Sequence, residues 1–165
     1  MRDALPPARD RAALRVLGVG NAWRRDDAVG LAVARRLHGS LPAGVEVLER
    51  EGEPTSLIEA WAGADAAWVV DAVSSGAPPG TIHRLDARAA PLPAELFRAS
   101  THHLGLPEAV ELARALGRLP PRLVVFGVAG ARFEAGQELT PAVAAAVEPA
   151  AAAVREEVRA CTSGR

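Results

Sequence analysis

The stretch VLGVGNAWRRDDAVGLAVARRL, residues 16–37, changes from a strand pattern to a helix pattern and so decides how the chain must fold. Val16, Leu17 and Val19 begin it, within a strand reading from Leu14 to Gly20. From Ala28 to Leu37 the apolar residues Val29, Val33 and Leu37 recur every fourth position, the spacing of one helical face. Between the two patterns stand Gly20, Asn21, a basic pair and the adjacent acids Asp26 and Asp27. Either acid could cap the helix by accepting N–H groups of its first turn, and Asp26 is read as that cap. Gly18-x-Gly20 after a strand suggests a dinucleotide fingerprint, but the third glycine of that motif falls on Trp23. A nicotinamide or flavin cofactor is therefore rejected. The glycines are left to let the backbone turn sharply and approach something closely. Trp23, an aromatic in the glycine loop, is read as flanking a binding cleft.

Outward from this stretch, strand and helix signals alternate. Val45 to Leu48 reads as a second strand, and Pro54 to Trp61 as a short helix after Glu53. AAWVVD, Ala66 to Asp71, is an apolar run closed by an acid, the pattern of a central strand buried on both faces. Thr81 to Leu85 is a short strand near an edge, Leu106 to Leu116 a helix, and Arg122 to Val128 another buried strand. Thr140-Pro141 opens the last helix, with Thr as N-cap and Pro in the first turn, and Pro149 predicts a kink in it. This alternation predicts an α/β fold, a three-layer α/β/α sandwich on a mainly parallel twisted sheet of about five strands, one of them antiparallel. No linker or repeat interrupts it. Residues 1–165 are read as one domain, with 1–13 a frayed lead-in and 160–165 a C-terminal tail.

Composition narrows the function. A net charge of −1 without a basic cluster gives no footprint for nucleic acid. No apolar run approaches the ~18 residues of a membrane span, and the N-terminal stretch has no apolar core of a secretory signal. The expectation is a cytoplasmic protein with no nucleic-acid or membrane partner. The single cysteine, Cys161, excludes an intramolecular disulfide and a multi-cysteine metal site. Every one of the 19 basic residues is an arginine, and there is no tyrosine. Whatever coding bias lies behind that, no Schiff base, Walker-type lysine or lysine general base can operate here.

In open α/β sheets ligands bind beyond the carboxyl ends of the strands, where strand order reverses. The acidic pair follows strand one, Asp71 ends the third strand, and Ser100-Thr101-His102-His103 precedes the Leu106 helix. If strands one and three are neighbours, these groups open onto one crevice. Two carboxylates and an imidazole suit a divalent metal with open positions, or general acid–base work. His38, His83, Trp61 and Trp68 are read as structural.

GVGNAWRRDDAVG, then VVDAV, then STHHLGLPEAVELARALGRLPPRLVVFGV, and finally FEAGQELTPAVAAAVEPA keep the order and spacing of one known family. From about Leu14 to Val158 the chain resembles the hydrogenase maturation proteases. These endopeptidases remove a C-terminal extension from the large-subunit precursor of nickel–iron hydrogenases. The resemblance implies a metal-contacting trio that falls on Asp27, Asp71 and His102, with His103 in the variable place of the H-x-L-G-L context. It also implies that the enzyme carries no metal of its own and recognises nickel already inserted in its substrate. Asp26 would then cap the helix while Asp27 faces the crevice, and a cation would relieve their repulsion. Two departures stand out: Ala28 where the family often has glycine, and Val128 to Arg132 without the family's Pro-containing turn.

Three other readings compete with this one. Receiver domains need a lysine after strand five, which this chain lacks. Peptidyl-tRNA hydrolases share a glycine–asparagine turn but want a Pro, Tyr and His-Asn set that is missing. A protein that binds a nickel-loaded partner without cutting it would carry the same trio.

Overall fold

The computed structural model describes residues 12–98 and 104–164. Five strands form one sheet: β1 (Leu14–Val19), β2 (Val45–Arg50), β3 (Ala66–Val73), β4 (Ile82–Asp86) and β5 (Arg122–Ala129). Their order is β2-β1-β3-β5-β4; all neighbours are parallel except β4, which runs antiparallel to β5 at the edge. The helices are α1 (Val29–Leu37), α2 (Pro54–Trp61), α3 (Leu106–Ala115) and α4 (Pro141–Ser163), with short 3-10 turns at Arg25–Ala28 and Ala94–Phe97. This is the α/β sandwich expected from the alternating signals.

The two faces of the sheet bury two separate apolar layers, as strand alternation requires. Leu17, Val69, Leu123 and Val125 point to one face, where Leu57 and Trp61 of α2 and Ala109 and Val110 of α3 cover them. Val16, Trp68, Val70 and Val124 point to the other, under Val29, Val33 and Leu37 of α1 and Val154 and Val158 of α4. β3 is buried along its whole length, whereas the edge strands β2 and β4 are only partly covered. Trp61 and Trp68 are fully buried core residues.

What the early glycines approach is the backbone of α1. A Cβ on Gly18 would lie 2.3 Å from the Gly30 carbonyl oxygen, and one on Gly30 would lie 2.2 Å from that of Val70. Helix and sheet therefore touch backbone to backbone, and the turn that feeds α1 is pressed against the ends of β1 and β3.

Some boundaries differ from the sequence reading. β1 stops at Val19, and β3 runs two residues beyond Asp71 because β5 continues opposite it, pairing Ala72 with Val128 and Val73 with Ala129. α4 runs through Pro149 to Ser163, into residues read as a tail, with Ala150, Ala151, Val154 and Val158 packed on the sheet. Of the lead-in, residues 1–11 lie outside the described residues. No helix among those described is long and apolar enough to cross a membrane.

Candidate functional site

β1 and β3 are neighbours, and the chain leaves β1 for β2 on one side and later fills β3 on the other. Strand order reverses between them, so the crevice beyond their carboxyl ends is where the topology places a ligand. Asp27 enters it from the 3-10 turn at Arg25–Ala28 and Asp71 from β3.

Asp27 is held from three directions. A Cβ at position 20 would lie 2.0 Å from its carbonyl oxygen, so only glycine admits the turn. Its backbone N–H donates to Arg24 O at 3.0 Å, and its Oδ2 accepts the Asn21 N–H at 3.0 Å. Asp71 pairs across the sheet with Gly127, and its Oδ1 accepts the Ala72 N–H at 2.8 Å. Both carboxylates are almost completely buried, 6% and 8% exposed. Burial pushes the Asp71 carboxyl well above the usual range, and the nearby charge of Asp27 pushes it the same way, against one opposing hydrogen bond from Ala72. The pair resists carrying two negative charges, which is the electrostatics of a site that welcomes a proton or a cation.

Asp26 does something the sequence reading did not foresee. It caps no helix: the positions before the 3-10 turn and before α1 are Arg24 and Ala28, and neither makes a side-chain cap. The carboxylate points instead into the segment after β5. Its Oδ2 accepts the N–H groups of Ala131 at 2.8 Å and Arg132 at 3.0 Å, and its Oδ1 accepts that of Thr140 at 2.7 Å. The Thr140 hydroxyl lies 3.0 and 2.8 Å from the two oxygens. Thr140 stands at the N-cap position of α4 as expected, yet its hydroxyl serves Asp26 and not its own helix. Burial alone would raise the Asp26 pKa, but the N–H groups of Ala131, Thr140 and Arg132 outweigh it and hold the carboxyl below its ordinary value.

Backbone bonds complete this clasp. Arg25 N–H donates to Gly136 O at 2.9 Å, Gly136 N–H to Trp23 O at 2.8 Å, and Asp26 N–H to Arg132 O at 3.0 Å. Arg25 adopts a left-handed backbone conformation, φ 43°, which costs a non-glycine residue about 1–2 kcal/mol. The adjacent acids thus divide the work: Asp26 ties the loop, and Asp27 faces the crevice. The separation of 114 positions between Asp26 and Thr140 explains why no local pattern announced their contact.

The structure brings Asp27 and Asp71 together. Ser100, Thr101, His102 and His103 lie outside the described residues. Among the described residues no third histidine, cysteine or acid joins the pair in a metal-binding group. His83 is in hydrogen-bond contact with Ser75 Oγ at 2.9 Å, and His38 ends α1.

Comparisons with known proteins point to one family. A family model described as hydrogenase maturation protease matches residues 31–157. The chain is 36% identical over 140 residues to the hydrogenase 2 maturation protease of Escherichia coli, covering 82% of this chain and 84% of that protein. It is 30% identical over 138 residues to the hydrogenase expression/formation protein HupD of Thiocapsa roseopersicina, where the match spans 82% of this chain but only 62% of the relative. Among solved structures, the hydrogenase maturating endopeptidase HybD from E. coli superimposes with a TM-score of 0.74 at 30% identity, covering 90% of this chain and 93% of that one.

Proposed function

The chain belongs to the hydrogenase maturation protease family, and from that premise we propose that it is the endopeptidase that trims the C-terminal extension of a nickel–iron hydrogenase large-subunit precursor after nickel insertion. The observation that carries this reading is the pair of buried carboxylates, Asp27 and Asp71, on either side of the point where strand order reverses. A cytoplasmic location accords with it.

In this reading the metal is cargo of the substrate. Asp27, Asp71 and His102 contact the nickel that the precursor carries, and the enzyme contributes no metal of its own. Two carboxylates and an imidazole make an incomplete shell for a borderline divalent ion, leaving positions for ligands from the precursor. Burial and the nearby charge of Asp27 set up an electrostatic strain against ionising Asp71. Docking of a nickel-loaded precursor relieves it, so binding favours the assembled form over the empty one.

Cleavage itself is assigned to the carboxylates. One takes a proton from a water molecule as its oxygen adds to the scissile carbonyl carbon. The C–N bond then breaks, and the proton leaves with the new amine. The acid environment suits this step, since Asp71 favours its protonated form and Asp27 is held in place by the Asn21 N–H.

The test is to mix the purified protein with nickel-loaded and nickel-free precursor and look for a shortened C-terminus by mass spectrometry. Trimming of the loaded form alone is the expected result. No trimming of either form by its genomic partner would turn the reading towards a binding protein that does not cut. Asp27→Asn and Asp71→Asn should both fold and both fail to trim. His102→Ala should lower activity more than His103→Ala, and the opposite order would place the imidazole one residue along.

A further inference from the structure

Trp23 is the most exposed large apolar side chain among the described residues, with 66% of its surface open to solvent, although its backbone is fixed. Its N–H donates to Asn21 Oδ1 at 2.9 Å and its carbonyl accepts the Gly136 N–H at 2.8 Å. A tryptophan whose main chain is pinned on both sides while the indole stands in water is a preorganised anchor: seating it against a partner costs little further ordering. Tryptophans in such positions are enriched among the residues that dominate binding energy.

Trp23 lines a cleft of about 600 Å³, between the loop after β1, one side of α1, the end of β2 and the start of α2. Its walls carry Arg35, Glu49, Arg50, Glu51 and Glu53, and several of these are already engaged. Arg35 pairs with Glu49 at 2.8 Å, and the Glu53 carboxylate accepts the N–H groups of Thr55 and Ser56 at the start of α2. Ala22 and Leu31 supply apolar surface beside the indole. The cleft adjoins the turn that carries Asp27. Gly20, one of its lining residues, presses on the backbone of Asp27, and the next residue, Asn21, donates to the Asp27 carboxylate. Whatever lies in the cleft lies one residue from the Asn21 N–H that holds the Asp27 carboxylate.

We infer that this cleft holds an extended segment of the hydrogenase precursor next to the bond that is cut, with a bulky apolar side chain of that segment packed on the Trp23 indole. The inference rests on the maturation-protease reading and adds where the substrate chain runs and which residue grips it. Trp23 touches no reacting atom, so it acts on binding and leaves the chemistry alone.

The experiment is steady-state trimming of nickel-loaded precursor by wild type, Trp23→Ala and Trp23→Phe, with melting temperatures as the control for folding. Truncation of the exposed indole should leave the melting temperature unchanged. For Trp23→Ala the expected result is a KM raised tenfold or more, about 1.4 kcal/mol of lost binding, with kcat within twofold. Trp23→Phe should keep KM within about threefold of wild type, because an aromatic face remains to pack on. An active wild type whose Trp23→Ala variant keeps the same KM overturns this inference alone, as does a fall in kcat at constant KM. A wild type that trims no precursor overturns the maturation reading beneath it.

Discussion

At the scale of single residues, Asp71 is where stability and function pull apart. Its carboxyl is buried beside Asp27, and burial first, then that neighbouring charge, raise its pKa well above the ordinary value. The sign follows from linkage. A carboxyl with a raised folded pKa binds its proton more tightly when folded, so its contribution favours the native state at low pH and is lost as pH rises towards and through the folded value. At neutral pH the native protein therefore bears a cost that Asn, with the same shape and the same acceptor for the Ala72 N–H, does not. Asp71→Asn should raise stability by at least about 1 kcal/mol, or about 2–4 °C in melting temperature, while abolishing trimming. The gain should be largest at neutral pH and shrink towards pH 4, where the wild-type carboxyl is protonated as well. Thermal melts across that range check this; a variant less stable than wild type at neutral pH would mean the carboxylate is stabilised by something other than its described neighbours. The sequence placed Asp27 in the turn after β1 and Asp71 in the buried central strand because burial follows from local apolar patterning, although it read Asp71 as the end of that strand. It misassigned Asp26 because a helix cap is a local rule, whereas the true partners arrive from the far end of the chain.

Among elements, the clasp between the acid turn and the segment after β5 does most to fix the site. Asp26 supplies acceptors for three backbone N–H groups and a hydroxyl, all in a buried place. Removing the carboxylate leaves those donors without a partner, at about 1–3 kcal/mol for each that stays dry. Asp26→Ala should cost about 3–5 kcal/mol in denaturant unfolding, fewer than the sum because the loop can open to water. Asp26→Asn should rescue only part of the loss, since its N–H₂ can donate to the Thr140 hydroxyl but must still face a backbone N–H. Amide exchange at Ala131 and Arg132 should speed up in both variants, and unchanged protection there would show that the loop is held by its backbone bonds alone. Gly30→Ala acts on the same element from beneath: its Cβ would sit 2.2 Å from Val70 O and force α1 off the sheet, carrying Asp27 with it. The elements themselves were legible because each strand and helix carries its own periodicity. Their ends were less so: β3 passes Asp71 because β5 is there to pair with it, a fact no window around residue 71 contains.

For the whole molecule, the long helix α4 spans the sheet and is fastened at both ends by different chemistry. At its start Thr140 bonds Asp26, beside the crevice. At its far end Glu157 accepts from the Trp68 indole N–H at 2.9 Å and from Arg122 at 3.3 Å, and also pairs with Arg84. Burial opposes ionisation of Glu157, but the hydrogen bonds from Arg84 and Trp68 prevail and hold its carboxyl below the ordinary value. Its contribution is thus present above the unfolded value of about 4.3 and disappears as pH falls through the lowered folded value. Glu157→Ala should cost about 1–3 kcal/mol at neutral pH, and that penalty should fade below about pH 4. Thr140→Val, which keeps the volume and loses the hydroxyl, should cost a similar amount. The two losses should nevertheless differ in kind. The α4 start adjoins the turn that aims Asp27, whereas Glu157 sits away from the crevice among β3, β4 and β5. Measured per folded molecule and well below the melting temperature, Thr140→Val should trim several-fold more slowly, and Glu157→Ala should trim at the wild-type rate. Equal slowing by both would mean that the fold transmits a general loosening to the site. Slowing by Thr140→Val alone would locate the catalytic geometry in the clasp, with the remainder of the sandwich serving as its rigid support.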